Sequence, residues 1–440
     1  MPLTMRLREG TRIAVDSDMW RRMSVVAIIT SIGCSDARTG SIVSDGESSF
    51  TPPAGDDSPV AHGTPTPLAN VRVLLPGEGV LDASADRGGG IWAVTAKRVF
   101  YFTPGSASPK SYDQSDALAR GWRTWQDTYY SGSASAPATL PVTFSAIAGG
   151  APGEAIVGNV GAIADRVNVD LTTGAVLHVD NMKVTSAQSG SGEELSEHIK
   201  RVVATHTIAA DVDGTFNGTA YVGGWHGFEA FHGLDGDCGC LAFEEHQHFI
   251  PGEDMNWCDS SGESNGCWGG DVRGLAIASN GDVWAGDRHF VQRLAQRSLG
   301  PHTGLFDTGV TWTAAIDVFP MLRDEVHGLA VDGGGLWVGS EGNGLAYVDR
   351  QKNIVYWNRD HRLPMNTLVG VDVDGRGSVW IATARAGLAR FRPSDGAWTY
   401  YTTASGLPSE QINAISVDAF DGRRTLYVAT ANGLASFAAQ

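Results

Sequence analysis

An all-β fold assembled from repeated four-stranded units is predicted by three observations. Glycine takes 56 of 440 positions, well above the ~7% usual for globular chains. Charged residues make up only 18% while tryptophan reaches 13, a profile of many short, covered strands joined by tight turns. Most telling, one pattern recurs with aligned aspartates Asp332, Asp374 and Asp418 spaced by 42 and 44 residues. A hydrophobic content of 42% is ample for a large core and excludes disorder for the bulk of the chain. The net charge of −17 argues against nucleic acid, because no basic patch is available to displace counterions from phosphates.

In chain order, residues 1–33 read as a lipoprotein-type signal peptide. Arg21 and Arg22 precede the apolar run Met23–Gly33, and Cys34 follows it. The run is too short to span a bilayer, which needs roughly 20 apolar residues, but it has the length of an export signal. Met19 is an alternative start. The segment Ser31-Ile32-Gly33-Cys34 resembles a lipobox, with Ser31 where that motif usually carries Leu. This makes Cys34 the lipidation site, and Ser35 after it resembles the outer-membrane-sorted class. Residues 34–69 are rich in Ser, Pro and Gly and read as a flexible tether.

The domain proper, 70–440, carries the repeat. Val326–Val348, Leu368–Phe391 and Ile412–Phe437 each read as a strand ending in Asp, a Gly-rich turn, a strand centred on Trp or Tyr, and a third strand. Upstream, Val272–Leu294, Thr205–Phe231 and Val80–Phe102 fit the same frame. Phe144–Val169 fits least, lacking both the Asp and the aromatic, and the count is seven. Fourth strands are plainest at Ile354–Asn358 and Ala397–Thr402, each followed by Leu-Pro (Leu363-Pro364, Leu407-Pro408). Four strands per repeat is the size of a propeller blade. The last unit ends at its third strand, whereas Asn70–Leu75 is an orphan strand ahead of the first. A seven-bladed β-propeller closed by that N-terminal strand in the last blade accounts for both, and leaves no sheet edge open there.

The run Asp332 to Leu345, in which a Gly-rich turn is followed by Trp-Val-Gly-Ser and Gly-Leu, resembles the two-component-regulator propeller repeat. That family forms periplasmic sensing domains of hybrid histidine kinases and also occurs in stand-alone exported proteins. The resemblance covers roughly residues 70–437. It implies a propeller outside the cytoplasm; no kinase segment occurs within the chain, so signalling by this chain itself is not expected.

Between the third and fourth units lies an irregular insertion, about 233–270, holding Cys238, Cys240, Cys258 and Cys267 together with His246, His248 and two tryptophans. Four clustered cysteines in an exported chain read as two disulfides of open connectivity; the spacing matches no common zinc site. Phe243–Ile250 is a candidate fourth strand within it. The insertion reads either as a lid or partner-binding knob, or as a stapled decoration.

In a propeller the first strands line a central channel, and residues at their starts face its mouth. In register these are Leu81, Ser145, His206, Arg273, His327, Val369 and Asn413. Loops after the second strands add His226, Asp287, Arg288, Glu341 and Arg385, besides Lys97, Asn159, Asn343 and Asn432. From these, His206, Arg273, His327, Asn413, His226, Asp287, Arg288, Glu341 and Arg385 form the candidate ligand set. For His206 and His327 the alternative is hydrogen bonding between blades, and for Asp287-Arg288-His289 it is a solvated turn. The aromatics Trp92, Trp284, Trp337, Trp380 and Tyr427 read as packing, and the aligned aspartates as turn caps rather than metal ligands.

No nucleophile–base motif or phosphate loop is present. The reading is therefore a non-catalytic, lipid-anchored, monomeric protein of a bacterial envelope, facing the periplasm or the cell surface. It would bind a glycan, a peptide or an envelope partner at the channel mouth without a cofactor. One alternative is a divalent-cation-dependent lyase or hydrolase, with His327 or His206 as base and Glu341 and Asp287 holding the cation. The other is a structural interaction platform.

Overall fold

The computed structural model describes residues 57–116, 118, 143–160, 163–181, 205–210, 220–224, 227–231, 243–247, 272–280, 282–287, 290–294, 316–318, 326–420 and 423–439. Among the described residues, the strands form seven four-stranded antiparallel sheets, and helix is confined to short 3-10 turns. Six sheets use four strands consecutive in sequence. Their first strands are Val80–Ala85, Thr143–Gly149, Thr205–Ala210, Gly274–Ile277, Val326–Asp332 and Leu368–Val373, and they number the sheets from first to sixth. The seventh sheet combines Ile412–Phe420, Arg423–Thr430 and Gly433–Ala438 with Arg72–Leu74. Arg72 lies opposite Ser436 and Leu74 opposite Leu434, so the orphan strand anticipated at Asn70–Leu75 pairs in the last sheet. Successive first strands lie side by side, and Ile412–Phe420 touches both Leu368–Val373 and Val80–Ala85. In the third sheet the fourth strand is Phe243–Gln247, inside the segment proposed for it.

The repeat works through one turn and one aromatic pair. After the first strand, Asp332 Oδ1 accepts from the amides of Gly334 and Gly335 at 2.7 and 2.9 Å. Its Oδ2 accepts from Trp337 Nε1 at 2.8 Å. Asp86 does the same for Gly88, Gly90 and Trp92. Asp374 caps its turn through Arg376 and Ser378. A short polar side chain that satisfies turn amides locally explains Asp at this place. The tryptophan then packs at a tilt against its cross-strand partner: Tyr101 on Trp92 at 4.4 Å and Tyr347 on Trp337 at 4.5 Å between ring centroids. In the fourth and sixth sheets arginine replaces tyrosine, with Arg293 and Arg390 lying over Trp284 and Trp380. Either partner covers the indole face. In the second sheet, which lacks both Asp and aromatic, Arg166 pairs instead with buried Glu154 at 2.7 Å.

The second turn is closed by the Ser/Thr that ends the second strand. Thr383 Oγ1 donates to Gly387 O at 2.7 Å and accepts from Ala386 N at 2.9 Å; Thr430 repeats the arrangement with Gly433 and Asn432. Gly387 has φ +75°, and a Cβ there would sit 2.3 Å from Tyr401 O, so the Gly-Leu step requires glycine. Before each Leu-Pro, a 3-10 turn ends in a left-handed residue, Arg362 or Gly406, and Leu363 and Leu407 are buried behind it.

Residues 57–69, within the stretch read as a tether, are held against these turns. Asp57 accepts from the amides of Asn366 and Thr367 at 2.6 and 3.1 Å, and from Thr367 Oγ1 at 2.6 Å. Val60 N donates to Pro364 O, His62 Nε2 to Leu363 O, Thr66 N to Tyr400 O and Leu68 N to Ser405 O. The segment is a strap running from the connection between the fifth and sixth sheets to the connection between the sixth and seventh. Replacing Asp57 by alanine should cost about 1–3 kcal/mol, the range for bonds to a charged group and the amides they orphan. Faster hydrogen exchange at Asn366 and Thr367 would register it, with new proteolysis within 57–69; unchanged exchange would contradict the assignment.

Candidate functional site

The first strands share an irregularity that builds the site. In six sheets the pairing of first and second strand shifts register by one residue near the strand start. The residues skipped are Leu81, Ser145, His206, His327, Val369 and Asn413, while Arg273 directly precedes Gly274–Ile277. A bulged residue leaves the ladder and its side chain is re-aimed. Here the ladder is broken in this way near the start of the first strand in six sheets.

Leu81, Ser145, Arg273, His327, Val369 and Asn413 line one cavity of about 490 Å³, within the range of ligand sites. Its wall is the first strands themselves. Gly328 shows how tightly they approach: a Cβ there would lie 2.6 Å from Val371 N of the next sheet.

On one side, Arg273 Nη1 lies 3.4 Å from His327 Nε2, joining the fourth and fifth sheets. A guanidinium only donates, so in this contact Nε2 of His327 is the acceptor. Asn413 Nδ2 donates to Val80 O at 2.6 Å, so it ties the seventh sheet to the first as well as lining the cavity.

Glu341 and Arg385 are exposed on turns after the second strands and do not line the cavity. Asn159 Nδ2 donates to Asp165 of the adjoining strand and Asn343 N to Ser340 Oγ in its own turn, whereas Asn432 Nδ2 donates to Pro408 O in the connection between the sixth and seventh sheets. His226, Arg288, Cys34, Cys238, Cys240, Cys258 and Cys267 lie outside the described residues, as do the side chains of His206 and Asp287, whose backbones sit in strands. Among the described residues no three His, Cys, Asp or Glu side chains gather as a metal site.

Three carboxylates between neighbouring first strands were not anticipated. Asp82 Oδ1 accepts from Ala83 N and its Oδ2 from Ile147 N of the second sheet, at 2.8 and 2.9 Å. Asp372 accepts from Val373 N at 2.7 Å and from Val417 N of the seventh sheet at 2.6 Å. Asp418 accepts from Ala85 N of the first sheet at 2.6 Å. Each latches one first strand to the next, and Ser84 Oγ adds a bond from Gly149 N at 3.0 Å. Asp82 and Asp372 also line the cavity. Burial pushes Asp82 and Asp418 up to about 7 and Asp372 to about 6, against the lowering by the amides they accept from. Asp418 thus departs from its expected turn-capping role. The strand pair Ile412–Phe420 and Arg423–Thr430 runs past it, placing it opposite Thr425. The signal for Asp82 and Asp372 was a lone acid inside an alternating apolar strand, as in Leu368–Val373.

No protein-family model matches the chain, and no curated protein matches it. Solved structures do. YCF48 bound to D1 peptide aligns at 12% identity over 85% of this chain and 100% of its own, with TM-score 0.50. The extracellular domains of two hybrid two-component systems of B. thetaiotaomicron, BT3049 and BT4673, align at 14% and 12% identity over 84% and 83% of this chain, with TM-scores 0.51 and 0.50. The chain spans 41% and 39% of those two structures. At such identities the likeness is one of fold, and the fold is propeller-like. Among the described residues no helix is long and apolar enough to cross a membrane.

Proposed function

We propose that this chain is an exported, lipid-anchored, seven-bladed propeller of the two-component-regulator type, closed by Arg72–Leu74 in the last blade. It binds a peptide or a peptide segment of an envelope partner at the channel mouth, without catalysis. The observation that carries the reading is the convergence of Leu81, Ser145, Arg273, His327, Val369 and Asn413, one from each of six sheets, on a single cavity. The sheets beneath it repeat one hydrogen-bonded plan, while the mouth side chains differ from sheet to sheet, which is how a shared fold carries a particular specificity. The peptide-bound neighbour of the same fold supports the choice of partner class. Export and the Cys34 anchor rest on the leader sequence, and the four remaining cysteines as disulfides rest on the same compartment.

The test is thermal stabilisation of the exported protein by a panel of envelope peptides and oligosaccharides. A peptide of the panel should raise the melting temperature of the native protein. The Arg273→Ala/His327→Ala pair should abolish that rise while leaving the unliganded melting temperature nearly unchanged. A panel without any shift, or a shift that survives the double change, would refute binding at this mouth.

A further inference from the structure

We propose that the strap is a lock on the closing strand: while Asp57–Leu68 stays in place, Arg72–Leu74 is held in the last sheet at both of its ends. A displacement arriving along the upstream chain then meets Asp57 before it reaches that strand. The inference rests on the closure proposed above, and it depends on neither the ligand nor the lipid anchor.

By itself the closing strand is weakly held. It meets the last sheet at three positions, Arg72, Val73 and Leu74 against Ser436, Ala435 and Leu434, where a common strand has about five or six residues. Leu74 is buried, whereas Val73 is 42% exposed. The strand is bracketed by two left-handed residues, Asn70 with φ +54° and Leu75 with φ +50°. Such conformations persist only where the surroundings over-determine them. Downstream, Glu78 N donates to Leu75 O at 3.0 Å, and Leu75 packs on the cluster that holds Leu74, Val80 and Leu434. Arg72 donates to Ser106 O of the first sheet. Upstream, the chain passes straight into the strap. Leu68 N donates to Ser405 O at 2.9 Å, and Leu68 and Val71 pack on the cluster of Leu407 and Phe437.

A short strand occupies its place according to how closely its two ends are kept there. With Leu68 and Leu75 both fixed, Arg72–Leu74 has little freedom to leave. With the strap loose, the strand is held from one side and frays from Arg72, exposing the edge of Gly433–Ala438. The order of the strap's contacts fits a lock. They run from Ser405 and Tyr400 at the sixth sheet to Leu363, Pro364 and Thr367 in the connection that precedes it. The contact farthest upstream is also the strongest in kind, a carboxylate accepting three hydrogen bonds at Asp57, and charge-assisted bonds outweigh neutral ones.

The experiment is native-state hydrogen exchange on the full exported protein. Asp57→Ala/His62→Ala removes two side chains of the strap and leaves Arg72–Leu74 and its partners unaltered. Amides of Arg72–Leu74 and Leu434–Ser436 should exchange roughly 10- to 100-fold faster, the loss of bonds to a charged group. Asp57→Asn keeps an accepting oxygen and should fall between parent and double variant. Exchange in Val326–Asp332, away from the closure, should not change. Leu74→Ala, which weakens the strand alone, should speed Arg72–Leu74 while Asn366 and Thr367 keep the parent rate. Acceleration confined to Asn366 and Thr367 in the double variant would make the strap a covering without hold on the strand, and would overturn the lock. Equal acceleration of Asn366 and Thr367 in Leu74→Ala would overturn it too, since the strand would then hold the strap. Ligand binding is read separately by thermal stabilisation, so the lock and the binding function fail independently.

Discussion

Replacing Trp337 by alanine should destabilise the protein by about 3–5 kcal/mol, the range for removing a buried large aromatic. The side chain is fully buried. It meets Tyr347 and Trp357 of its own sheet at 4.5 and 5.5 Å, and Phe391 of the next sheet edge-on at 6.1 Å. The cavity left would lie between the fifth and sixth sheets, where neither can collapse without parting from its other neighbour. The change also removes the donor to Asp332 Oδ2, so the carboxylate that shapes the turn loses a partner. Trp337→Phe separates the two effects, keeping most of the volume while losing the indole N–H, and should cost less. Trp284→Ala should cost less again, since Trp284 is only partly buried and faces Arg293. Urea unfolding followed by circular dichroism reads the series. A loss below about 1 kcal/mol for Trp337→Ala would mean that this junction is not tightly packed.

The framework was legible because each repeat carries its own local instructions. Asp332 and Trp337 signal a turn and a covered strand through residues that touch each other, so the pattern survives without long-range information. The same holds for Arg72–Leu74, whose alternation had no partner nearby in sequence while the last unit lacked a strand. The channel residues were legible to first order, since aligning first strands also aligns their starting positions. What local pattern cannot contain is contact between sheets. Asp82 and Asp372 look like ordinary polar residues of a strand until the next strand's amides are brought beside them. Asn413 looked like a ligand contact, yet its amide reaches Val80 O. The strap 57–69 has the composition of a linker, and its anchors are mostly backbone groups and one carboxylate, which leave no apolar periodicity to read. Glu341 and Arg385 follow second strands as expected, but whether such a turn reaches the cavity depends on how the sheets pack together.

The three latch carboxylates should make the protein more stable in mild acid than in mild alkali. Their ordinary value in the unfolded chain is 3.8, and folding raises it to about 7, 6 and 7 for Asp82, Asp372 and Asp418. Between those limits the native state binds more protons than the unfolded state, so unfolding free energy rises as pH falls from about 7 toward 4. The direction is opposite to that of a carboxylate held ionised by a salt bridge. The physical cause is enclosure: each carboxylate accepts backbone amides, which favour its charge, but burial among the first strands outweighs them. All three residues are only partly buried, which limits the size of the effect. Asp418 also feels the charges of Asp372 and Asp82, so the three take up protons as an interacting group rather than independently. A melting temperature that rises steadily from pH 8.5 to pH 5.5 is therefore expected. The Asp82→Asn/Asp372→Asn/Asp418→Asn variant removes the titration while keeping one of the two amide-accepting oxygens at Asp82 and Asp372. It should be less stable overall, with a much flatter profile. A parent profile that falls over this window, or a triple variant retaining the full slope, would show that the latches hold their strands in the ionised form.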